Sequence, residues 1–417
     1  MAAFALLLAF YVALYSLKLA GQPLRGILAL GVLAVMLVAH PEVAATAFRR
    51  YLPVIGLAAG FALLGTFISV VNRTPADLII KSLLEVHLQI VILMLVAAML
   101  AEICGARLCM WAIVAVICVS ALFAVLQMLD VSIAWDIRKS LGPMPREELR
   151  PSVVDWRPTG LSFSPIQLST QLCLAFAAFA AVRHADRIRT IGAQSADPAV
   201  MVGLAVLFAG SIASATRSPI LGGVIFLIAY VMLRRQLWLA ATVAIVAMLI
   251  YFAWPLFLGF IESEAPRVLQ TDDKSAATRS VFVYYGMRLF IDNPLGYGFG
   301  FVPYQLWEPY WSDLYMMRGA SGTREHMLHN YMLSMINIYG VGLLILAPLA
   351  LKLLLRTFPY YIFFIPYAVH ILFHNSGPFY SDTIIWFVIA AIGVAAARAD
   401  NRTPRLDRAS PNSIYSA

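Results

Sequence analysis

Apolar windows of about twenty residues recur along this chain and constrain its fold more than any other feature. They fall near residues 2–17, 25–40, 51–71, 82–102, 110–129, 163–182, 198–214, 217–233, 237–260, 331–351, 358–375 and 382–397. Each is long enough to cross the hydrocarbon layer as an α-helix, which satisfies its own backbone hydrogen bonds where water cannot. The windows are continuous rather than alternating, which argues against a β-barrel. With 61% apolar residues, 12% charged residues and a mean hydropathy of +0.82, the chain carries more apolar surface than a water-soluble core can cover. The expectation is an all-α, polytopic helical membrane protein with about twelve transmembrane helices. Its predicted layout is helices 1–9 in residues 1–260, with a shorter external loop near 130–162. A long external loop follows at 261–330, then helices 10–12 at 331–397 and a tail at 398–417.

Orientation follows from the charged connections. With the N-terminus inside, the inner connections carry Arg49, Arg50 and Arg107, then Arg183, Arg187 and Arg189, then Arg234, Arg235, Lys352 and Arg356. The tail adds Arg398, Arg402, Arg405 and Arg408, so the positive-inside rule holds and both termini are expected in the cytoplasm. The first apolar run lacks a basic leader and reads as an uncleaved first helix. The formal charge of +8 is accounted for by such loops and does not point to nucleic acid. Cys104, Cys109, Cys118 and Cys173 form no CxxC pattern, so neither a disulfide framework nor a zinc site is expected.

The external face also carries cations: Arg150, Arg157, Arg217, Arg279, Arg288, Arg318 and Arg324. Salt bridges to Glu147, Glu148, Glu262, Glu264, Asp272 and Asp273 would account for them, and so would an anion site. Arg217 favours the anion site, because SATRSPILGG sets it at the positive N-terminal end of an apolar helix, where a bound anion would compensate both charges. Lys81 and Glu85 are spaced to pair on one helix face, with His87 after them. His370 and His374, four apart, suit packing or a pocket wall better than a metal, for which further ligands are lacking.

The long external loop holds the remaining candidates. Ala276 to Ile291 predicts a helix with Arg279, Val283, Gly286 and Phe290 on one side, and Arg288 half a turn out of phase with Arg279. Asn293-Pro294 ends it. Glycines at 296, 298 and 300 permit close backbone approach, while the P-loop context of a nucleotide site is missing. Tyr304, Trp307, Trp311 and Tyr315 recur at helical spacing, which predicts an amphipathic helix in the headgroup region. His326 and His329 close the loop, and Asn330 opens the next window; a histidine at this boundary suits a general base near neutral pH. Their spacing is not that of a metalloprotease HExxH.

Four strings in order, RPTGLSFSP (Arg157 to Pro165), SATRSPILG (Ser214 to Gly222), TRSVFVYYGMRLFIDNPLGYG (Thr278 to Gly298) and HNYMLSMINIYGVG (His329 to Gly342), resemble the O-antigen ligase and Wzy-type polysaccharide polymerase superfamily. Gln167, and glycines only two apart at 340 and 342, depart from the usual pattern. The resemblance implies a GT-C-like glycosyltransferase of the bacterial inner membrane with an external, periplasmic site and no metal or other cofactor. Its donor would be an undecaprenyl-diphosphate-linked glycan. Carried over, Arg217 and Arg279 would hold the diphosphate and His329 would activate the acceptor hydroxyl. Arg157, Arg288, His326 and Asn330 are possible additional contacts. The preferred expectation is a polymerase of lipid-linked repeat units, working beside a flippase and a chain-length regulator. The alternatives are a ligase that passes glycan to a lipid A core, and a polysaccharide transporter or flippase. The absence of an internal repeat and of midplane ionisable residues counts against the transporter.

Overall fold

The computed structural model describes residues 1–15, 17–19, 22–142, 157–189, 198–234, 274–355 and 360–400. Among them, one small antiparallel ladder, β1 (Lys18–Leu19) with β2 (Gln22–Pro23), joins the first two helices. The regular helices are α1 (Ala2–Ala13), α2 (Leu24–Ala39), α3 (Pro41–Val71), α4 (Ala76–Ser82), α5 (Gln89–Cys104), α6 (Ala106–Met128), α7 (Ser132–Ser140), α8 (Pro165–Arg189), α9 (Pro198–Ala213) and α10 (Arg217–Arg234). Then come α11 (Lys274–Asp292), α12 (Tyr331–Tyr339), α13 (Leu343–Leu355), α14 (Ile365–Leu372) and α15 (Ile384–Asp400).

Five described helices have the length and hydropathy of a full crossing: Pro41–Val71, Ala76–Cys104, Ala106–Met128, Pro165–His184 and Tyr331–Leu353. Six more are apolar but shorter, among them Ala2–Ala13, Leu24–Ala39 and Ile384–Arg398. The protein is therefore an all-α membrane protein. The expected window at 237–260 lies outside the described residues. So do residues 261–273 of the long loop, Arg150, the six acidic residues considered as salt-bridge partners, Arg235, Arg356 and the tail beyond Asp400.

At the centre stands α8. From Leu172 to Val182 no side chain is more than 3% exposed. The run is apolar all round, as a helix surrounded by others must be, and its alanines let neighbouring backbones approach closely. α6 and α14 pack on it, and α15 fills the gap against α5, α6 and α8. Outward-facing residues such as Val38, Leu63, Leu344 and Ile345 are 70–85% exposed, which suits contact with lipid chains. At one end of the bundle Glu102 takes both Arg50 of α3 and Arg398 of α15, the latter at 3.0 Å. Nearby, the buried Tyr51 hydroxyl donates to the Ala390 carbonyl at 2.7 Å.

The opposite end has a second core of its own. Val281, Phe282, Tyr285 and Leu289 of α11 pack with Leu57 and Phe61 of α3, with Leu314 and Leu328 of the loop, and with Tyr331, Leu333 and Tyr339 of α12. The glycine run lies at a seam. Tyr297 N–H donates to Asn337 O at 2.7 Å, Val341 N–H to Pro294 O at 2.8 Å, and Asn72 Nδ2 to Gly296 O at 2.9 Å. A Cβ on Gly296 would stand 2.6 Å from Gly340 N, and both glycines have positive φ, at 89° and 56°. Close backbone approach is thus what these positions require, and the partner is protein backbone.

Three local expectations are corrected. The buried stripe of α11 runs through Phe282, Tyr285, Gly286 and Leu289, while Val283 is 47% exposed, because the aromatic rings outweigh valine in the contact with α12. Tyr304 to Tyr315 is not one helix. It is split into 3₁₀ turns at Pro303–Gln305 and Glu308–Tyr310 and a single α turn at Trp311–Leu314, since Pro303 and Pro309 cannot donate within a helix. Finally, Lys81 and Glu85 form no ion pair among the described contacts. A π turn, Leu83–Leu88, intervenes between α4 and α5 and changes the register on which i,i+4 pairing depends.

Candidate active site

α11 brings Arg279 and Phe282, three apart, to the same side. The Phe282 ring meets the His329 ring edge-on, centroids 5.2 Å apart. Asn330 then fixes the chain after His329. Its Oδ1 caps α12 by accepting from Leu333 N–H at 2.9 Å, and its Nδ2 donates to the Leu372 carbonyl at 3.0 Å. That second bond ties the histidine loop to the bend at the end of α14, where Phe373 and His374 sit. The Arg279 guanidinium lies 5.7 Å from the Phe373 ring centroid.

His374 is the meeting point. Its ring lies beside that of His370, centroids 4.3 Å apart. Ser218, the residue after Arg217, reaches His374 Nε2 at 3.3 Å and His370 Nδ1 at 2.9 Å, and Thr170 Oγ1 lies 2.9 Å from His370 Nε2. The turn at Ser214 to Thr216, with Ala215 at φ 50°, makes Arg217 the first residue of α10. Segments far apart in sequence therefore converge: α8, the start of α10, α11, the histidine loop and the end of α14.

The Arg157 string is held from below. Gln127 Oε1 accepts from the N–H groups of Thr159 and Gly160, both at 2.9 Å, and its Nε2 donates to Gly160 O at 3.0 Å. Arg138, 2% exposed, donates to the carbonyls of Ser162 at 2.7 Å and Gly142 at 3.0 Å. A buried guanidinium so occupied with backbone carbonyls is a brace for the loop.

His329 is half-buried. Burial, the neighbouring His326 and Arg279 together push its pKa down to about 4, so the imidazole is neutral at neutral pH and has a lone pair to offer. An anion bound beside Arg279 would offset the repulsion and raise that value toward the range of an effective base. His326 is exposed, its ring centroid 6.1 Å from that of His329. Arg288 points elsewhere, at Asp313 3.5 Å away, with both side chains more than 40% exposed. Arg324 stacks on Trp311 at 3.6 Å and Trp307 at 4.2 Å, so the aromatic pair serves as a platform for a cation within the loop. Of the groups around His374, sequence reasoning passed over Ser218 and Thr170, and it treated His374 itself only as packing or a pocket wall.

Fold and site together define a helical integral membrane protein whose cationic, histidine-bearing site lies at one end of the bundle, on top of a second core. Residues 202–347 match the family model of O-antigen ligase, which agrees with the resemblance seen in the motifs. This part of the chain is thus similar to O-antigen ligases, and it sits within a helical membrane protein. The match spans Arg217, Arg279, Arg288, His326, His329 and Asn330; Arg157, His370 and His374 lie beyond it. No curated protein matches the chain.

Proposed function

We propose that the protein is an inner-membrane glycosyltransferase that joins undecaprenyl-diphosphate-linked repeat units into a surface or exported polysaccharide. The observation that carries this reading is the seam where the Arg279 guanidinium lies 5.7 Å from the Phe373 ring, Phe282 of the same helix meets His329, and Ser218, next to Arg217, reaches His374. In this reading twelve spans place both termini in the cytoplasm and the long loop in the periplasm. Nucleotide sugars are confined to the cytoplasm, so an outward site draws on an activated donor held in the membrane. Arg217 and Arg279 hold the donor diphosphate and take up the charge that grows as it departs. His329 accepts the proton of the attacking hydroxyl. Direct displacement by that hydroxyl inverts the anomeric carbon. A flippase would supply the donor and a chain-length regulator would act on the product.

The family match also favours a second reading, transfer of a finished glycan to a lipid A core. One experiment addresses both. In a deletion strain, single repeat units on the lipid A core indicate a lost polymerase, whereas long carrier-linked chains beside a bare core indicate a lost ligase. Complementation with His329→Ala at wild-type membrane levels should leave the deletion phenotype unchanged. Normal glycan from that variant would remove His329 as the base.

A further inference from the structure

The hydrogen bonds around His374 have a direction. Thr170 has one hydroxyl proton, and its Oγ1 donates to the Ile166 carbonyl at 3.0 Å. Thr170 therefore accepts from His370 Nε2–H, which leaves His370 Nδ1 bare. Ser218 donates to that nitrogen, and its oxygen accepts from His374 Nε2–H. The last member, His374 Nδ1, is left as a lone pair. Running the chain in reverse would forfeit the Thr170–Ile166 bond. Nδ1 is buried, with no hydrogen-bond partner among the described residues, and its residue is 5% exposed. A buried acceptor in this setting calls for a donor from a ligand. A diphosphate has no such donor at neutral pH, and a sugar hydroxyl does.

We infer that His374 Nδ1 accepts a hydrogen bond from a sugar hydroxyl of the bound glycan, and that the Thr170–His370–Ser218 chain fixes His374 in the tautomer that allows it. His374 is then a substrate-binding residue distinct from the diphosphate clamp. The inference rests on the glycosyl-transfer reading above, and on the geometry for the choice of atom.

The test compares full-length wild type, His374→Gln and His374→Asn. Glutamine places its amide near Nε2 and keeps the Ser218 contact but offers nothing at Nδ1. Asparagine places an oxygen near Nδ1. Two ligands are bound in detergent, bare undecaprenyl diphosphate and the same carrier bearing its repeat unit, and glycan assembly is scored in the deletion strain. His374→Gln is expected to lower assembly by about tenfold or more, the equivalent of one hydrogen bond, while bare undecaprenyl diphosphate binds as in wild type. His374→Asn retains more assembly than His374→Gln. Weaker binding of the glycan-bearing carrier alone would assign the hydroxyl to the donor sugar, and unchanged binding of both ligands would assign it to the acceptor. Wild-type assembly by His374→Gln overturns the inference, as does loss of bare-carrier binding comparable to Arg279→Ala, or a reversed order of the two variants. Should His374→Gln fail to fold, Ser218→Ala replaces it, with reduced assembly and normal bare-carrier binding expected and wild-type assembly overturning the idea. Failure of wild type to bind the bare carrier, or indifference to Arg279→Ala, would instead sink the diphosphate reading.

Discussion

Gly286 offers a test of whether the register between α11 and the histidine loop matters. It lies one turn beyond Phe282, and its carbonyl accepts from Asn337 Nδ2 at 2.9 Å. A Cβ at this position would stand 2.6 Å from Leu333 Cγ and 3.1 Å from Leu328 Cδ1. Leu333 Cδ2 would be closer still; carbon atoms rest at about 3.5 Å or more, so Gly286→Ala must move α11 or Leu333 by about 1 Å. Alanine gains about 0.8–1 kcal/mol in helix propensity, and overpacking costs about 1–3 kcal/mol, so the net loss of stability is modest, about 0–2 kcal/mol. The effect on chemistry should be larger. A shift near 1 Å between Arg279 and His329 costs on the order of a hundredfold in rate. Glycan assembly at matched membrane levels, with thermal unfolding in detergent alongside, measures the two effects separately. Adding Leu333→Ala removes the clashing carbons and should recover part of the activity of Gly286→Ala, although Leu333→Ala by itself costs about 2–5 kcal/mol. Wild-type activity in Gly286→Ala, or a double variant no more active than the single one, would show that the reasoning about register is wrong.

Arg279→Lys should cut glycan assembly by about tenfold or more, because an ammonium cannot reproduce the planar fork of a guanidinium; normal assembly would argue against a diphosphate clamp. Arg288→Ala should leave assembly near wild type and change stability by less than about 1 kcal/mol, since its pair with Asp313 is largely solvated. Gln127→Leu should cost about 2–5 kcal/mol in thermal unfolding, as it strands the N–H groups of Thr159 and Gly160. For His329 the folded value of about 4 lies below the ordinary 6.5, so between those values the unfolded chain binds the extra proton and stability falls as pH drops. Wild type should therefore lose more thermal stability than His329→Asn between pH 7 and pH 5, and equal losses would contradict the buried, neutral assignment.

Apolar windows announced the helices because a membrane-crossing helix writes its length directly into the sequence. Arg217 and His329 stood out as polar residues at the edges of apolar runs and Arg279 as a cation on a loop helix, each inside a motif with a family likeness. What sequence could not show was partnership at a distance. Ser218 and His370 are separated by 152 positions, and Thr170 and His370 by 200. No periodicity relates them, so a serine and a threonine read as ordinary helix residues until the chain is folded. The stripe on α11 was misread by one position for a related reason, since the packing partner and not the helix decides which face is buried. The π turn at Leu83–Leu88 left no signal in residue type at all.

The tie between Tyr51 and Ala390 bears on how the molecule comes into being. Its two ends lie 339 residues apart, and Ala390 belongs to α15, whose Trp386 and Phe387 are at most 1% exposed in the middle of the main core. At a synthesis rate of roughly 5–20 residues per second, α3 waits about 20–70 s in the bilayer before that helix exists. Throughout that interval the Tyr51 hydroxyl and the second arginine place on Glu102 must be served by water, lipid headgroups or a chaperone. The main core is closed by α15, so a ribosome that stops short of it leaves behind a protein with every site residue translated and no finished core to hold them.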